Sequence, residues 1–175
     1  LPSSGFDKIR VYDEFKENLT ERHKEILNQI SQKEPFFLFL DYISLHTNLV
    51  QNVIKKYSDF DKDYFDNKKN NLKNYLQEVE KSASYLDNLL KKIREMGSWD
   101  NTLVIIFSDH GTSVGDRLGE KAYGVYLYDY TIRCFLYIIS KDLPKCLEIN
   151  ELVRSMDILP TMLEILKIKE KKGYN

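Results

Sequence analysis

Two apolar runs set the strongest limit on how this 175-residue chain can fold. One is PFFLFL at 35–40, the other TLVIIF at 102–107. Each has strand length and no polar residue at alternate positions, the pattern of a strand covered on both faces in a parallel sheet. Between them Leu72, Leu76, Val79, Ala83, Leu86, Leu90 and Ile93 recur at helical spacing, and Gly97 stands where a helix stop belongs. A third strand is read in RCFLYIIS from Arg133, broken by Asp142-Leu143-Pro144. Further helices are read over Tyr12–Gln32 and Met156–Leu166, the latter capped by Asp157 with Pro160 in its first turn. Residues 43–67 have no clean period and read as a long loop with short helical pieces. Strands alternating with helices predict an α/β layered fold, with PFFLFL and TLVIIF as neighbouring central strands and ligands bound beyond the strands' carboxyl ends.

Charge narrows the function classes. Twenty-six basic residues against 27 acidic ones leave a net charge of −1, so no basic field exists to hold a nucleic acid. The mixed-sign stretch from Asp59 to Lys73 reads as a solvated surface. Cys134 and Cys146, eleven residues apart, match no zinc spacing and read as two ordinary thiols. No run approaches the ~18 apolar residues of a membrane span, and the start LPSSGFDKIRVYDEF has no apolar leader.

The groups with chemical potential gather after the strands. Asp109-His110-Gly111 follows TLVIIF and Ser108. A carboxylate and a neutral imidazole both ligate divalent ions, and Gly111 allows the turn that lets adjacent side chains converge. By itself the pair favours a capped turn over a metal site. Asp41 and His46 follow the PFFLFL run, placing His46 on a loop near the same strand ends. His23, in TERHKE, is expected in solvent. Arg117, Lys121, Tyr123 and Arg133 offer positive or hydrogen-bonding groups suited to a tetrahedral oxyanion.

Order is more specific than any single motif. PFFLFLDYISLHT resembles the sulfatase segment in which a buried strand leads to a loop histidine. SYLDNLLKKIREMGSWDNTLVIIFSDHG is similar to the stretch leading to the family's second metal motif. YGVYLYDYTIRCFLYIIS resembles the aromatic-acidic pair that precedes an Arg and a strand, and VRSMDILPTMLEIL the closing helix with its Asp-Ile-x-Pro-Thr pattern. Together the four blocks resemble the sulfatase and alkaline-phosphatase superfamily across most of residues 34–166.

That resemblance implies a three-layer α/β sandwich with a mostly parallel central sheet, of which residues 1–175 are an incomplete, C-terminal part of one domain. It implies a divalent metal at Asp109 and His110: calcium for a true sulfatase, with manganese, magnesium or zinc as alternatives. It gives His46 and Lys121 catalytic and ester-binding roles, with Tyr123 and Arg117 beside them as substrate-binding groups. The substrate implied is a sulfate or phosphate ester, and the partner implied is the N-terminal half of the same domain, where the family keeps its nucleophile.

This sequence departs from the family pattern in places. Asn48 follows His46-Thr47 where proline is usual, and Cys134-Phe135 replace a Val-Pro pair. Neither cysteine lies in a Cys/Ser-x-Pro-x-Arg motif. The activity expected of the whole protein is metal-dependent hydrolysis of sulfate or phosphate esters, with these residues alone inactive. The alternatives are a phosphoalcohol headgroup transferase of the same fold and a non-catalytic binding module.

Overall fold

The computed structural model describes residues 5–30, 35–56, 62–118 and 126–169. The chain forms two compact units, Leu1–Ser140 and Lys141–Asn175.

The first unit is a helical layer bearing a small sheet. Helix α1 spans Leu19–Ile30. It starts later than the expected Tyr12 because Asp13 closes a separate turn: its carbonyl accepts from Lys16 N and Glu17 N, and its Oδ1 accepts from Phe15 N. Asn18 then caps the helix, Oδ1 accepting from Thr20 N at 3.0 Å and Glu21 N at 3.3 Å. Leu19, His23 and Leu27, four apart, form the buried face.

Residues 43–67 are expected as a long loop with short helical pieces; the described part of that stretch is mostly helical, with α2 at Ser44–Lys56 and α3 at Lys62–Asp66. Helix α4, Lys68–Glu95, matches the expected helix. It ends where Met96 N donates to Lys92 O and Gly97 turns into the left-handed region at φ 74°. Its buried positions are Asn71, Glu78, Tyr85 and Leu89. The apolar stripe misidentifies the covered face, since Leu72 and Leu76 are exposed. Polar Asn71 and Glu78 are buried because each finds partners: Asn71 Nδ2 donates to Tyr64 O and Val114 O, and Glu78 accepts from Asn48 and Lys81.

The core joins α1 to α4 through Leu27, Tyr85 and Leu89, with Leu38, Leu40 and Tyr42 packed against them. His23 belongs to this core rather than to solvent. Its Nδ1 lies 2.6 Å from Tyr85 Oη, and Tyr42 stacks on the Tyr85 ring at 3.9 Å. The PFFLFL run is therefore used differently from the expectation. It is extended but joins no ladder among the described residues. Leu38 and Leu40 face the helices, while Phe37 and Phe39 stay 62% and 57% exposed. An all-apolar run does not distinguish a two-faced strand from one whose outer face is left open.

A 3-10 turn at Trp99–Asn101 leads into β1, Val104–Phe107. It pairs with β2, Leu136–Ile139, in antiparallel register, Val104 opposite Ile139 and Phe107 opposite Leu136. Among the described residues this is the whole sheet: two antiparallel strands, not the mostly parallel central sheet expected. TLVIIF has β2, not PFFLFL, as its neighbour. Helix α5, Asp129–Ile132, precedes β2.

The second unit holds a 3-10 turn, Ser155–Asp157, and helix α6, Ile158–Ile165. Pro160 sits in the first turn, where its missing N–H loses no intrahelical bond. Asp157 stands at the N-cap of α6, but its side chain makes no cap bond there; its carboxylate accepts from Arg154 N at 2.8 Å instead. Among the described residues no helix is long and apolar enough to cross a membrane.

Candidate functional site

The Ser108–Gly111 segment continues β1 past its last paired residue, and the chain before β2 holds it in place. Ser108 N donates to Phe135 O, and Phe135 N donates back to the Ser108 hydroxyl, both at 3.2 Å. Gly111 N donates to Thr131 O at 2.7 Å. The Cys134 thiol lies 3.2 Å from the Asp109 carbonyl oxygen. A Cβ on Gly111 would overlap the Tyr130 carbonyl oxygen, so the close approach of the two segments requires glycine.

On this clamped loop the Asp109 and His110 side chains face each other. Asp109 Oδ1 accepts from His110 N at 2.8 Å, which fixes the carboxylate. His110 Nδ1 lies 2.6 Å from Gly111 O. A carbonyl oxygen only accepts, so Nδ1 carries the hydrogen, and in the neutral ring Nε2 keeps its lone pair. That nitrogen is 3.7 Å from Asp109 Oδ2. Two acceptors at that separation suit a divalent cation between them. Asp109 is 85% and His110 44% exposed, so both are open to a ligand. Among the described residues no group of three or more His, Cys, Asp or Glu side chains is placed to hold a metal. The donor set fits part of one coordination shell.

His46 lies in the first turn of α2, not on a loop. Its ring centroid is 6.4 Å from that of His110, edge to face. The neighbours of His46 are braced from two sides: Thr47 Oγ1 donates to Glu14 Oε1 at 2.7 Å, and Asn48 Nδ2 to Glu78 Oε2 at 2.9 Å. Among the described residues, Glu14 Oε2 is buried without a hydrogen-bond partner. Where the family pattern has proline, Asn48 thus supplies a tie to α4.

Beyond Gly111 the chain is strapped to α3 and α4. Ser113 is fully buried, and its carbonyl accepts from Tyr64 Oη at 2.9 Å. Gly115, at φ 99°, packs against the Tyr64 carbonyl. Asp116 accepts from Val114 N and pairs with Lys68 Nζ at 2.7 Å. Burial pushes the Asp116 carboxyl upward, but the Lys68 and Val114 bonds outweigh it and hold the group below its ordinary range. Arg117 leaves this strap with its guanidinium 4.0 Å above the Tyr128 ring, a cation–π contact. Arg133 is taken by Asp129, at 3.0 Å from Nε. Lys121 and Tyr123 lie outside the described residues.

The structure therefore brings Asp109, His110 and His46 into one neighbourhood and places Arg117 on the loop that follows. Sequence reasoning missed the supports: Ser108, Cys134, Tyr64, Asn71, Ser113 and Asp116. A local signal existed for Ser113 and Asp116, because Ser-Val-Gly-Asp is a polar turn pattern in which Ser113 Oγ accepts from Gly115 N at 3.1 Å. No local signal pairs Asn71 with Val114.

Comparison with known proteins agrees with the order of motifs. The model of the sulfatase family matches residues 4–168. A Caenorhabditis elegans protein named as an extracellular sulfatase Sulf-1 homolog is 32% identical over 100 residues, which is 57% of this chain and 14% of that protein. The low-salt glycan biosynthesis sulfotransferase Agl7 of Haloferax volcanii is 32% identical over 92 residues, 51% of this chain and 23% of that protein. An extracellular sulfatase SULF-1 homolog of Drosophila melanogaster is 24% identical over 90 residues, 51% of this chain and 8% of that protein. The chain matches less than a quarter of the length of these relatives. No solved structure matches it.

Proposed function

The chain belongs to the sulfatase family, and from that premise we propose that it is the C-terminal portion of the catalytic domain of a metal-dependent sulfate-ester hydrolase. One observation supports this above the others: the lone pair of His110 Nε2 and the carboxylate oxygen of Asp109, 3.7 Å apart on an exposed, clamped loop at the end of β1. In this reading Asp109 and His110 hold the divalent cation together with ligands from outside these 175 residues. Calcium is the cation implied by the family, with manganese, magnesium or zinc as alternatives. When bound, the cation offsets negative charge on the ester and on the attacking group.

The chain's own residues act around that centre. His46, next to the His110 ring, hydrogen-bonds an ester oxygen or gives a proton to the leaving alcohol from its imidazole. Lys121 neutralises a second ester oxygen, and Tyr123 and Arg117 bind the remaining anionic face. The nucleophile comes from the partner segment, the N-terminal half of the same domain, because neither Cys134 nor Cys146 stands in a formylglycine motif.

The test uses the longer protein that carries this chain, assayed on aryl sulfate and aryl phosphate esters with each cation separately. Turnover is expected, with Asp109→Ala abolishing it and the 175-residue chain alone giving none. Robust turnover by the isolated chain, lost on changing one of its own residues, would overturn the reading. Transfer to a glycan or lipid hydroxyl instead of water is a second reading, favoured by the relative named as a sulfotransferase. Product appearing only when such an acceptor is supplied would select it.

A further inference from the structure

Asn18-Leu19-Thr20 is an Asn-x-Thr triplet, and no other Asn in the 175 residues begins one with Ser or Thr in the third place. Such a triplet is an acceptor for N-linked oligosaccharide where its asparagine reaches the surface. The triplet alone is weak. Its position in the fold shows that the folded chain can carry a glycan there.

Asn18 is exposed and is the N-cap of α1. The cap uses only one end of the side chain: Oδ1 accepts from Thr20 N and Glu21 N. Nδ2 donates to no group among the described residues. Oligosaccharide attaches at Nδ2 and leaves Oδ1 an amide oxygen, so modification and capping do not compete. Two other Asn side chains differ: Nδ2 of Asn48 is spent on the Glu78 carboxylate, and Nδ2 of Asn71 on the Tyr64 and Val114 carbonyls. Leu19 is buried at 8%, which does not obstruct transfer, because the transfer acts on the chain before it folds.

A second observation points to a sugar. Phe15 lies three residues before Asn18, on the turn that Asp13 closes ahead of the helix, and is 63% exposed. An apolar ring in solvent is unfavourable, and the C–H face of a pyranose is a surface that covers an aromatic face well.

We propose that Asn18 is an N-glycosylation site, with the first sugar packed over Phe15. The donor is a lipid-diphosphate-linked oligosaccharide. The bond from Nδ2 to C1 of the sugar forms while the C1–O bond to the diphosphate breaks. The diphosphate leaves with the electron pair, and Nδ2 gives up one of its two protons.

The test is to secrete the full chain from a eukaryotic cell behind a cleavable leader and to map glycans by mass spectrometry. One glycan is expected, at Asn18, removed by peptide N-glycosidase with conversion of residue 18 to aspartate. Asn18→Asp and Thr20→Ala should each give complete loss of the glycan while keeping the cap, the first through its carboxylate and the second because Thr20 contributes only its backbone N–H. An unmodified Asn18 in the secreted wild-type chain overturns the proposal; a misfolded chain still reports, since transfer precedes folding. For Phe15, the glycosylated protein should melt higher than Asn18→Asp, and Phe15→Ala should close that gap. An equal gap in Phe15→Ala overturns the packing over Phe15.

Discussion

Replacing Gly111 with alanine tests whether the loop proposed to bind metal is held by close backbone packing. The φ of Gly111 is not in the left-handed region, so a side chain there is limited by space and not by backbone conformation. The new methyl would overlap Tyr130 O, with Arg133 O 3.0 Å away, and both are backbone atoms that cannot swing aside. Relief requires the two segments to part, which breaks the 2.7 Å bond from Gly111 N to Thr131 O. Overpacking of this kind costs about 1–3 kcal/mol, and the lost bond adds about 1 kcal/mol. A loss of about 2–4 kcal/mol follows, a fall in melting temperature of roughly 4–16 °C for a chain of this size. Because Asp109 and His110 ride on the same loop, calcium or manganese affinity, read by calorimetry on the longer protein, should fall about 10–100-fold. Gly97→Ala is the control. Its methyl meets nothing within 4 Å, and its strain is confined to φ 74° at the end of α4, so it should cost about 1–2 kcal/mol and leave metal affinity unchanged. If Gly111→Ala melts within about 1 °C of the wild type and binds metal equally well, the clamp does not position the loop.

Burial lowers the His23 pKa, partly opposed by Asp41, so the folded state binds fewer protons than the unfolded. Its contribution to stability is complete above about pH 6.5 and is lost as pH falls through the lowered folded value. Urea midpoints should therefore drop between about pH 7.5 and pH 5, and His23→Gln should flatten that drop. Tyr85→Phe leaves the buried His23 Nδ1 without its 2.6 Å partner and should destabilise by about 1–3 kcal/mol in urea titration. Asp116→Ala, which removes the Lys68 pair and the Val114 bond, should cost about 1–2 kcal/mol near neutral pH. The Asp116 pKa is lowered in the folded state, so the wild type's advantage should disappear as pH falls below about 3.8 through the folded value.

Helix α4 and the two strands are the legible part of the fold, while α2 lies in a stretch without a clean period. The helical spacing from Leu72 to Ile93 falls within α4, which ends just before the Gly97 stop, and TLVIIF and RCFLYIIS each contain a strand. What the sequence pattern lacked was pairing. Apolar runs state that a segment wants cover without saying from what, so PFFLFL reads as a ladder strand although Leu38 and Leu40 are covered by Leu27, Tyr85 and Leu89. His23 reads as solvated because its neighbours in TERHKE are charged, while its helical neighbours Leu19 and Leu27 are buried. At the site, Asp109 and His110 were legible because they are adjacent and follow a strand. The supporting contacts were not, since they join residues as distant as Asn71 and Val114.

The reciprocal bonds between Ser108 and Phe135 make the candidate site a continuation of the β1–β2 ladder. The amide protons of Ser108 and Gly111 are then locked by carbonyls on the opposite segment, at Phe135 and Thr131. Their exchange with deuterium should follow that of the strand residues, not the faster rate of a surface loop. Opening the loop and opening the sheet would be a single cooperative event, so a cation held at Asp109 and His110 would slow exchange across both strands at once.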